Sequence, residues 1–233
     1  MHVPDGFIDI PVSIATGAIA VAGIGVCLRG ARNELDDRTA PLAGLVASFI
    51  FAVQMLNFPV AAGTSGHLLG GALAAILVGP YTGALCVSVV LLVQGLFFAD
   101  GGLTALGTNI TDMSLVTVIV GYGLVRLLIA VLPKTRTSLL TATFVGALLS
   151  VVGASIAFTA VYAIGGTTDV PIGTVAAAMI GVHLLIGIGE ALITTATVAS
   201  ILAVRPDLVR AARHLQPKLT LRTPTTEPVP ARS

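Results

Sequence analysis

The chain has no tryptophan, two cysteines, four histidines and little charge: Asp, Glu, Lys and Arg together make up 10% of its 233 residues. A soluble domain carries about 25% charged residues, so the composition excludes an ordinary cytosolic enzyme, a disordered chain and a nucleic-acid binder. Two cysteines exclude a disulfide scaffold and a Cys-rich structural zinc site. No stretch reads Gly-x-x-x-x-Gly-Lys-Ser/Thr, so the phosphate-cradling loop of an ATPase is missing as well. Aromatics, at 5%, leave only a thin interfacial belt. What is abundant is apolar surface, with 55% hydrophobic residues and a mean hydropathy of +1.00.

A helix that spans a bilayer needs about 20 mostly apolar residues. Pro11–Leu28, Ala40–Phe58, Pro80–Phe98, Met113–Leu132, Ser138–Ile164 and Gly173–Val204 qualify. Leu68–Gly79 is too short alone; it completes a crossing with its flanking residues or dips in as a broken helix, which needs protein or a cavity around it. The charges favour the crossing. Arg29, Arg32, Arg38, Lys134, Arg136 and the tail residues Arg205, Arg210, Arg213, Lys218, Arg222 and Arg232 then share one side, with Arg126 near enough to snorkel there. The other side takes the N-terminus and Asp5, Asp9, Asp100, Asp112 and Asp169, with no Lys or Arg. Basic loops face the cytoplasm. The sequence thus predicts an all-α polytopic membrane protein with about seven transmembrane helices, N-terminus outside and C-terminus cytoplasmic. Residues 1–204 form one membrane domain, and 205–233 a basic cytoplasmic tail. Residues 1–10 lack a basic n-region, so no cleaved signal peptide is read. Small residues four apart, at Gly70/Gly71 with Ala74/Ala75 and at Ala18 with Ala22, point to tight helix packing.

Polar residues at membrane depth are functional candidates by default. They are Gln54 and Asn57 late in the second span, Gln94, and His183 and Glu190 in the last span. His183 and Glu190 lie seven apart on one helical face; they form either a proton or metal site or a pair that satisfies neighbouring helices. A membrane enzyme built on them lacks any recognisable triad or three-ligand metal set. His214, in the tail, reads as a solvated residue.

His2 stands in a special place. Methionine is normally trimmed only before small second residues, so Met1 keeps its α-amine. That amine, the His2 backbone nitrogen and His2 Nδ1 are joined through a five- and a six-membered chelate ring. If a metal displaces the amide proton, the three nitrogens lie in one plane, which suits Ni²⁺ and Cu²⁺. His67, in a Gly-rich loop on the same side, is the evident fourth donor. Such a site weakens in acid, because the amine ordinarily titrates near ~8 and imidazole near ~6.5.

The opening Met1-His2-Val3-Pro4-Asp5-Gly6-Phe7 resembles the Met-His-Ile-Pro-Asp/Glu-Gly-Phe start of the cobalt and nickel substrate-binding permeases of energy-coupling factor ABC transporters. The stretch Gly63-Thr64-Ser65-Gly66-His67 and the run Gln94-Gly95-Leu96-Phe97-Phe98-Ala99-Asp100-Gly101-Gly102-Leu103-Thr104-Ala105-Leu106-Gly107-Thr108-Asn109 resemble the same family. The resemblance covers residues 1–204. It implies a seven-helix S component of a prokaryotic plasma membrane, with Co²⁺ or Ni²⁺ as transported substrate and no organic cofactor. It also implies a metal held by the Met1 amine, both nitrogens of His2 and the His67 imidazole. Asn57, Gln94, Asp100 and Asn109 match polar positions of the family motifs and are expected to orient the ligands or fix the loops. The implied partners are a transmembrane coupling subunit, two ATP-hydrolysing subunits and a small accessory membrane subunit. The chain itself is then no enzyme. Between the metals, the Gly-Thr-Ser-Gly-His loop leans toward permeases linked with cobalamin biosynthesis. A passive metal channel or sensor, with the N-terminus as plug, is the competing reading.

Overall fold

In lipid, only a helix pairs all its backbone groups within one segment, and the apolar stretches fold accordingly. The computed structural model describes residues 1–60 and 65–215. Their helices are α1 (Ile10–Ala31), α2 (Thr39–Gln54), α3 (Gly71–Val78), α4 (Pro80–Phe97), α5 (Leu106–Val131), α6 (Arg136–Gly165) and α7 (Ile172–Val204). All but α2 and α3 are long and apolar enough to cross a membrane. Asp9 starts α1 by accepting from Val12 N at 2.9 Å, and Thr135 starts α6 by accepting from Ser138 N at 3.1 Å. Large apolar side chains such as Ile14, Leu45, Phe97, Ile119 and Leu185 point outward, as lipid allows.

At about 1.5 Å per residue, the 8 residues of α3 rise only about 12 Å, and every one is buried. Small residues seat it. A Cβ on Gly83 of α4 would lie 2.7 Å from Ala75 N, and one on Gly121 of α5 would lie 2.8 Å from the Ala72 side chain. The stripe at Gly71, Ala74 and Ala75 is therefore a packing surface, whereas Ala18 and Ala22 face outward.

The chain leading into α3 is irregular, and two side chains satisfy it. Gln54 Nε2 donates to Leu69 O at 2.7 Å, while the Glu190 carboxylate accepts from Leu69 N at 2.5 Å and Gly70 N at 2.9 Å. Gly70 has φ +78°, a left-handed conformation that glycine adopts without a Cβ clash. At the far end of α3, Gly79 (φ +106°) turns the chain into α4 against the Glu34 carboxylate. Glu34 accepts from Thr82 N at 2.7 Å and stands 3.9 Å from Arg210 Nε. The α1–α2 loop, the α3–α4 turn and residues 206–215 thus share one end of the bundle. The N-terminal segment lies at the other, against Gly102, Thr104 and Thr167. Val209, Ala211 and Ala212 are buried at the tail's end of the bundle; Lys218, Arg222 and Arg232 fall outside the described residues.

Two boundaries differ from the hydropathy reading. The α5 helix begins at Leu106 rather than Met113, so Asn109 and Asp112 are helical residues, not loop residues. Hydropathy stops at this polar stretch, but its polar groups face the protein: Thr108 Oγ1 lies 2.7 Å from Thr16 Oγ1, and Thr111 Oγ1 donates to Thr16 O at 3.0 Å. The α2 helix ends at Gln54, so Asn57 lies beyond it and is exposed. Pro59 disfavours helical backbone before it, and Phe58–Pro59 instead pairs with Ser65–Gly66 in a short antiparallel ladder.

Replacing Glu190 with Ala leaves the buried Leu69 N–H and the part-buried Gly70 N–H unpaired and should cost about 2 kcal/mol of stability. Glu190→Gln, which keeps one acceptor, should cost less. Unfolding in mixed micelles measures both, and an unchanged midpoint for Glu190→Ala would contradict this role.

Candidate metal centre

The first nine residues are not helical, yet their main-chain groups are paired where they enter the bundle. Asn109, on α5, grips the main chain of Val3 twice: its Oδ1 accepts from Val3 N at 2.8 Å, and its Nδ2 donates to Val3 O at 3.2 Å. Gly102 N donates to the same Val3 O at 2.8 Å. Asp5 Oδ1 accepts from Thr104 N at 2.8 Å and Thr104 Oγ1 at 2.6 Å. Farther along, Thr167 N donates to Phe7 O at 3.1 Å, and Asp9 N to Gly165 O at 2.7 Å. The Phe7 ring packs on Tyr162 and Phe158, with centroids 5.3 and 5.9 Å apart. The strap thereby carries Met1 and Val3 to complete burial.

His2 and His67 meet inside it. His67 Nδ1 lies 2.8 Å from Leu68 O, so that nitrogen carries the proton and Nε2 keeps a free lone pair. His67 Nε2 faces His2 Nδ1 at 3.1 Å. Two nitrogens bound at right angles to one ion, with bonds of about 2.05 Å, stand about 2.9 Å apart. The spacing therefore fits two adjacent donors of one ion with little movement. Among the described residues no three His, Cys, Asp or Glu side chains are grouped to hold a metal, so main-chain nitrogens are needed to complete a donor set here.

Burial lowers the pKa of the Met1 amine to about 4, against the opposing pull of Asp100 and Asp112. Burial, the neighbouring amine and His2 hold His67 well below the usual imidazole value. Burial also lowers His2, partly offset by its hydrogen bond to Asp100. At neutral pH the amine and both rings are uncharged; the amine and His67 Nε2 offer lone pairs, while His2 Nδ1, facing Asp100 Oδ1 and His67 Nε2, carries its ring proton and binds a metal once that proton moves to Nε2. The acid weakening expected from ordinary values near ~8 and ~6.5 is thus displaced downward.

The remaining candidates divide. Asp100 Oδ1 lies 3.1 Å from His2 Nδ1, and Oδ2 accepts from Asn57 Nδ2 at 3.1 Å. Partial burial would raise the Asp100 pKa, but these contacts hold it below the usual carboxylate value. Gln94 lies beside His2, and both its amide atoms lack a hydrogen-bond partner among the described residues. Gly101 (φ +90°) lets the loop approach: a Cβ there would lie 3.0 Å from His2 Cδ2 and 2.9 Å from Asn109 Nδ2. His183 is buried near the site, its Cε1 3.6 Å from where a Gly66 Cβ would stand, with Nδ1 on Met179 O at 2.8 Å and Nε2 without a partner among the described residues. Glu190 points away, to the start of α3, so His183 and Glu190 do not act as a pair. His214 bonds locally to Ala211 O at 2.8 Å. Gly63 and Thr64 lie outside the described residues.

One residue escaped the sequence reading. Asp112 lies in the π-helical stretch Ile110–Val116, is 3% exposed, and has no hydrogen-bond partner on either oxygen among the described residues. Its titratable neighbour is the Met1 amine. The signal was its spacing, three residues after Asn109 and so on the same helical face.

A profile of cobalt uptake substrate-specific transmembrane regions, the CbiM family, matches residues 2–208. A protein of Archaeoglobus fulgidus named as a fused nickel transport protein is 40% identical over 212 residues, covering 90% of this chain and 68% of that one. The cobalt transport protein CbiM of Sorangium cellulosum is 32% identical over 217 residues, covering 90% and 94%. A crystal structure described as a transition metal transporter superposes with a TM-score of 0.82 at 26% identity, covering 93% of this chain and 100% of that one.

Asn109→Ala removes both bonds to Val3 and should free the strap. Amide exchange of residues 2–7 should rise at least tenfold; unchanged protection would contradict the anchoring role.

Proposed function

The chain belongs to the family of cobalt uptake substrate-specific transmembrane regions, and from that premise we propose that it captures Co²⁺ or Ni²⁺ through its own N-terminus, as the substrate-binding subunit of an energy-coupling factor importer. Its relatives are named as metal transport proteins, one for nickel and one for cobalt. The bundle crosses the membrane seven times in this reading, with α3 and the irregular residues before it as one passage. The strap faces outward and the Glu34–Arg210 end faces the cytoplasm, as the basic residues favour. ATP is hydrolysed by two partner subunits and coupled through a membrane partner, with a small accessory membrane subunit completing the assembly.

The observation that carries the proposal is the 3.1 Å approach of His67 Nε2 to His2 Nδ1, next to a buried, uncharged chain terminus. The donors are the Met1 amine, the His2 main-chain nitrogen, His2 Nδ1 and His67 Nε2. The amine and amide close a five-membered ring on the ion, the amide and Nδ1 a six-membered one, and His67 fills the fourth corner. Planar nitrogen donors suit late first-row divalent ions. Asn109, Asp5 and Gly102 hold the strap so that these atoms need not be ordered at the moment of binding, which favours affinity by preorganisation. The enzyme reading loses its carboxylate, since Glu190 is engaged by Leu69 and Gly70.

Metal titration of the purified chain with a native N-terminus tests the donor set. His67→Ala should weaken Ni²⁺ and Co²⁺ binding at least a hundredfold, and His214→Ala should leave it unchanged. Equal affinity of the His67→Ala variant would place the site elsewhere. The proton count is a second test. With the amine and imidazoles already neutral, one ion should displace about one proton at pH 7, the His2 amide proton, and affinity should rise about tenfold per pH unit between about 6 and 8. An amine left at its ordinary pKa near ~8 would release about two, and calorimetry in buffers of different ionisation enthalpy separates the cases.

A further inference from the structure

The donors of the proposed chelate are closed off from solvent. Met1 and His67 are 0% exposed and His2 is 5% exposed; Gln94 and Asn109 beside them are also buried. Asp100 is different. Its side chain is 18% exposed, yet one oxygen lies 3.1 Å from His2 Nδ1. The other oxygen holds Asn57, which is exposed past the end of α2. A single carboxylate therefore spans the distance from solvent to a donor nitrogen.

The backbone is bent to put it there. Among the described residues Ala99 is the only non-glycine with positive φ, at 51°, and Gly101 follows Asp100 at 90°. Asp100 N donates to Gln94 O at 3.1 Å, folding the loop back over the end of α4. An L-residue in the left-handed region is disfavoured and persists where the surroundings over-determine it. Here the result of that turn is a carboxylate directed at His2.

We infer that Asp100 is the entry ligand of this site, taking a hydrated divalent transition ion from solvent and passing it to His2 Nδ1. A carboxylate oxygen is a hard donor that suits an ion still carrying water. The ion then exchanges its bond to Oδ1 for one to Nδ1, a better donor for a late first-row metal, while the displaced water leaves to solvent and the ring proton of His2 moves from Nδ1 to Nε2, which has no other partner among the described residues. The transfer distance is that of the existing contact. The remaining nitrogens close around the ion behind it. By microscopic reversibility the same carboxylate assists departure, so Asp100 sets the rates of exchange more than the affinity.

This inference rests on the chelate proposed above. Binding that persists after the Met1 amine is blocked would fault the chelate; the role of Asp100 is read only from rates among forms that bind. The experiment is stopped-flow binding of Ni²⁺ to the full chain in nanodiscs, comparing wild type, Asp100→Asn and Asn57→Asp. Asp100→Asn keeps size and an acceptor oxygen but removes the charge. It should slow association about tenfold or more, slow dissociation by a similar factor, and change Kd less than threefold. The association rate should also lose most of its dependence on ionic strength. Asn57→Asp, which adds a carboxylate at the mouth at the cost of the Asn57 bond to Asp100 Oδ2, should speed association severalfold. An unchanged association rate in Asp100→Asn, whether or not Kd weakens through faster dissociation, would overturn the inference. So would an unaltered rate in Asn57→Asp.

Discussion

The double hydrogen bond between Asn109 and the main chain of Val3 is the contact on which the site depends. A chain end cannot enter a dry bundle with its peptide groups unpaired. Asn109 supplies both an acceptor and a donor from a helix, so its position is set by the membrane-spanning scaffold rather than by a loop. Each bond is worth about 1 kcal/mol net, but leaving either group unpaired would cost more. With Val3 fixed, Met1 is carried into the protein and His2 is brought against His67. Burial then does electrostatic work, holding the amine uncharged at neutral pH.

The polar residues inside the bundle serve two ends. Gln54, Glu190 and Asn109 pair with main-chain groups of segments that cannot be helical: the run into α3 and the strap. Their task is to make irregular backbone tolerable away from water. His2, Gln94, Asp112 and His183 keep polar atoms without partners among the described residues. Unpaired atoms of this kind are costly in a dry interior; these four residues lie at or near the buried terminus, while Gln54 Oε1, Thr82 Oγ1, Thr143 Oγ1 and Thr195 Oγ1 are unpaired as well.

Much of this was legible in the sequence. The long apolar runs gave the principal helices, because lipid leaves few alternatives to helix. The chelate spacing of Met1 and His2 was visible because it lies within two covalently linked residues. The pairing of His2 with His67 rests, in the sequence, on a shared side of the membrane and a resemblance; the structure sets His67 Nε2 3.1 Å from His2 Nδ1. What hydropathy missed was the start of α5, since polar Asn109, Thr111 and Asp112 read as loop, while Asn109 and Asp112 in fact face the strap and Thr111 faces α1. The function of Glu190 was equally hidden. Its partners are backbone N–H groups of Leu69 and Gly70, and nothing in residue identity marks a main-chain group as unpaired. Pro59, by contrast, was a readable signal for the early end of α2.

The central claim is that the chain's own α-amine and first peptide nitrogen bind the ion. Inserting one alanine between Met1 and His2 keeps every side chain but breaks the chelate spacing. Titration of Ni²⁺ into the native and inserted forms, followed by the visible absorption of planar Ni²⁺, tests it most directly. The account predicts tight one-to-one binding with the planar band for the native form, and loss of both on insertion. Equal affinity and an unchanged spectrum in the inserted form would contradict it.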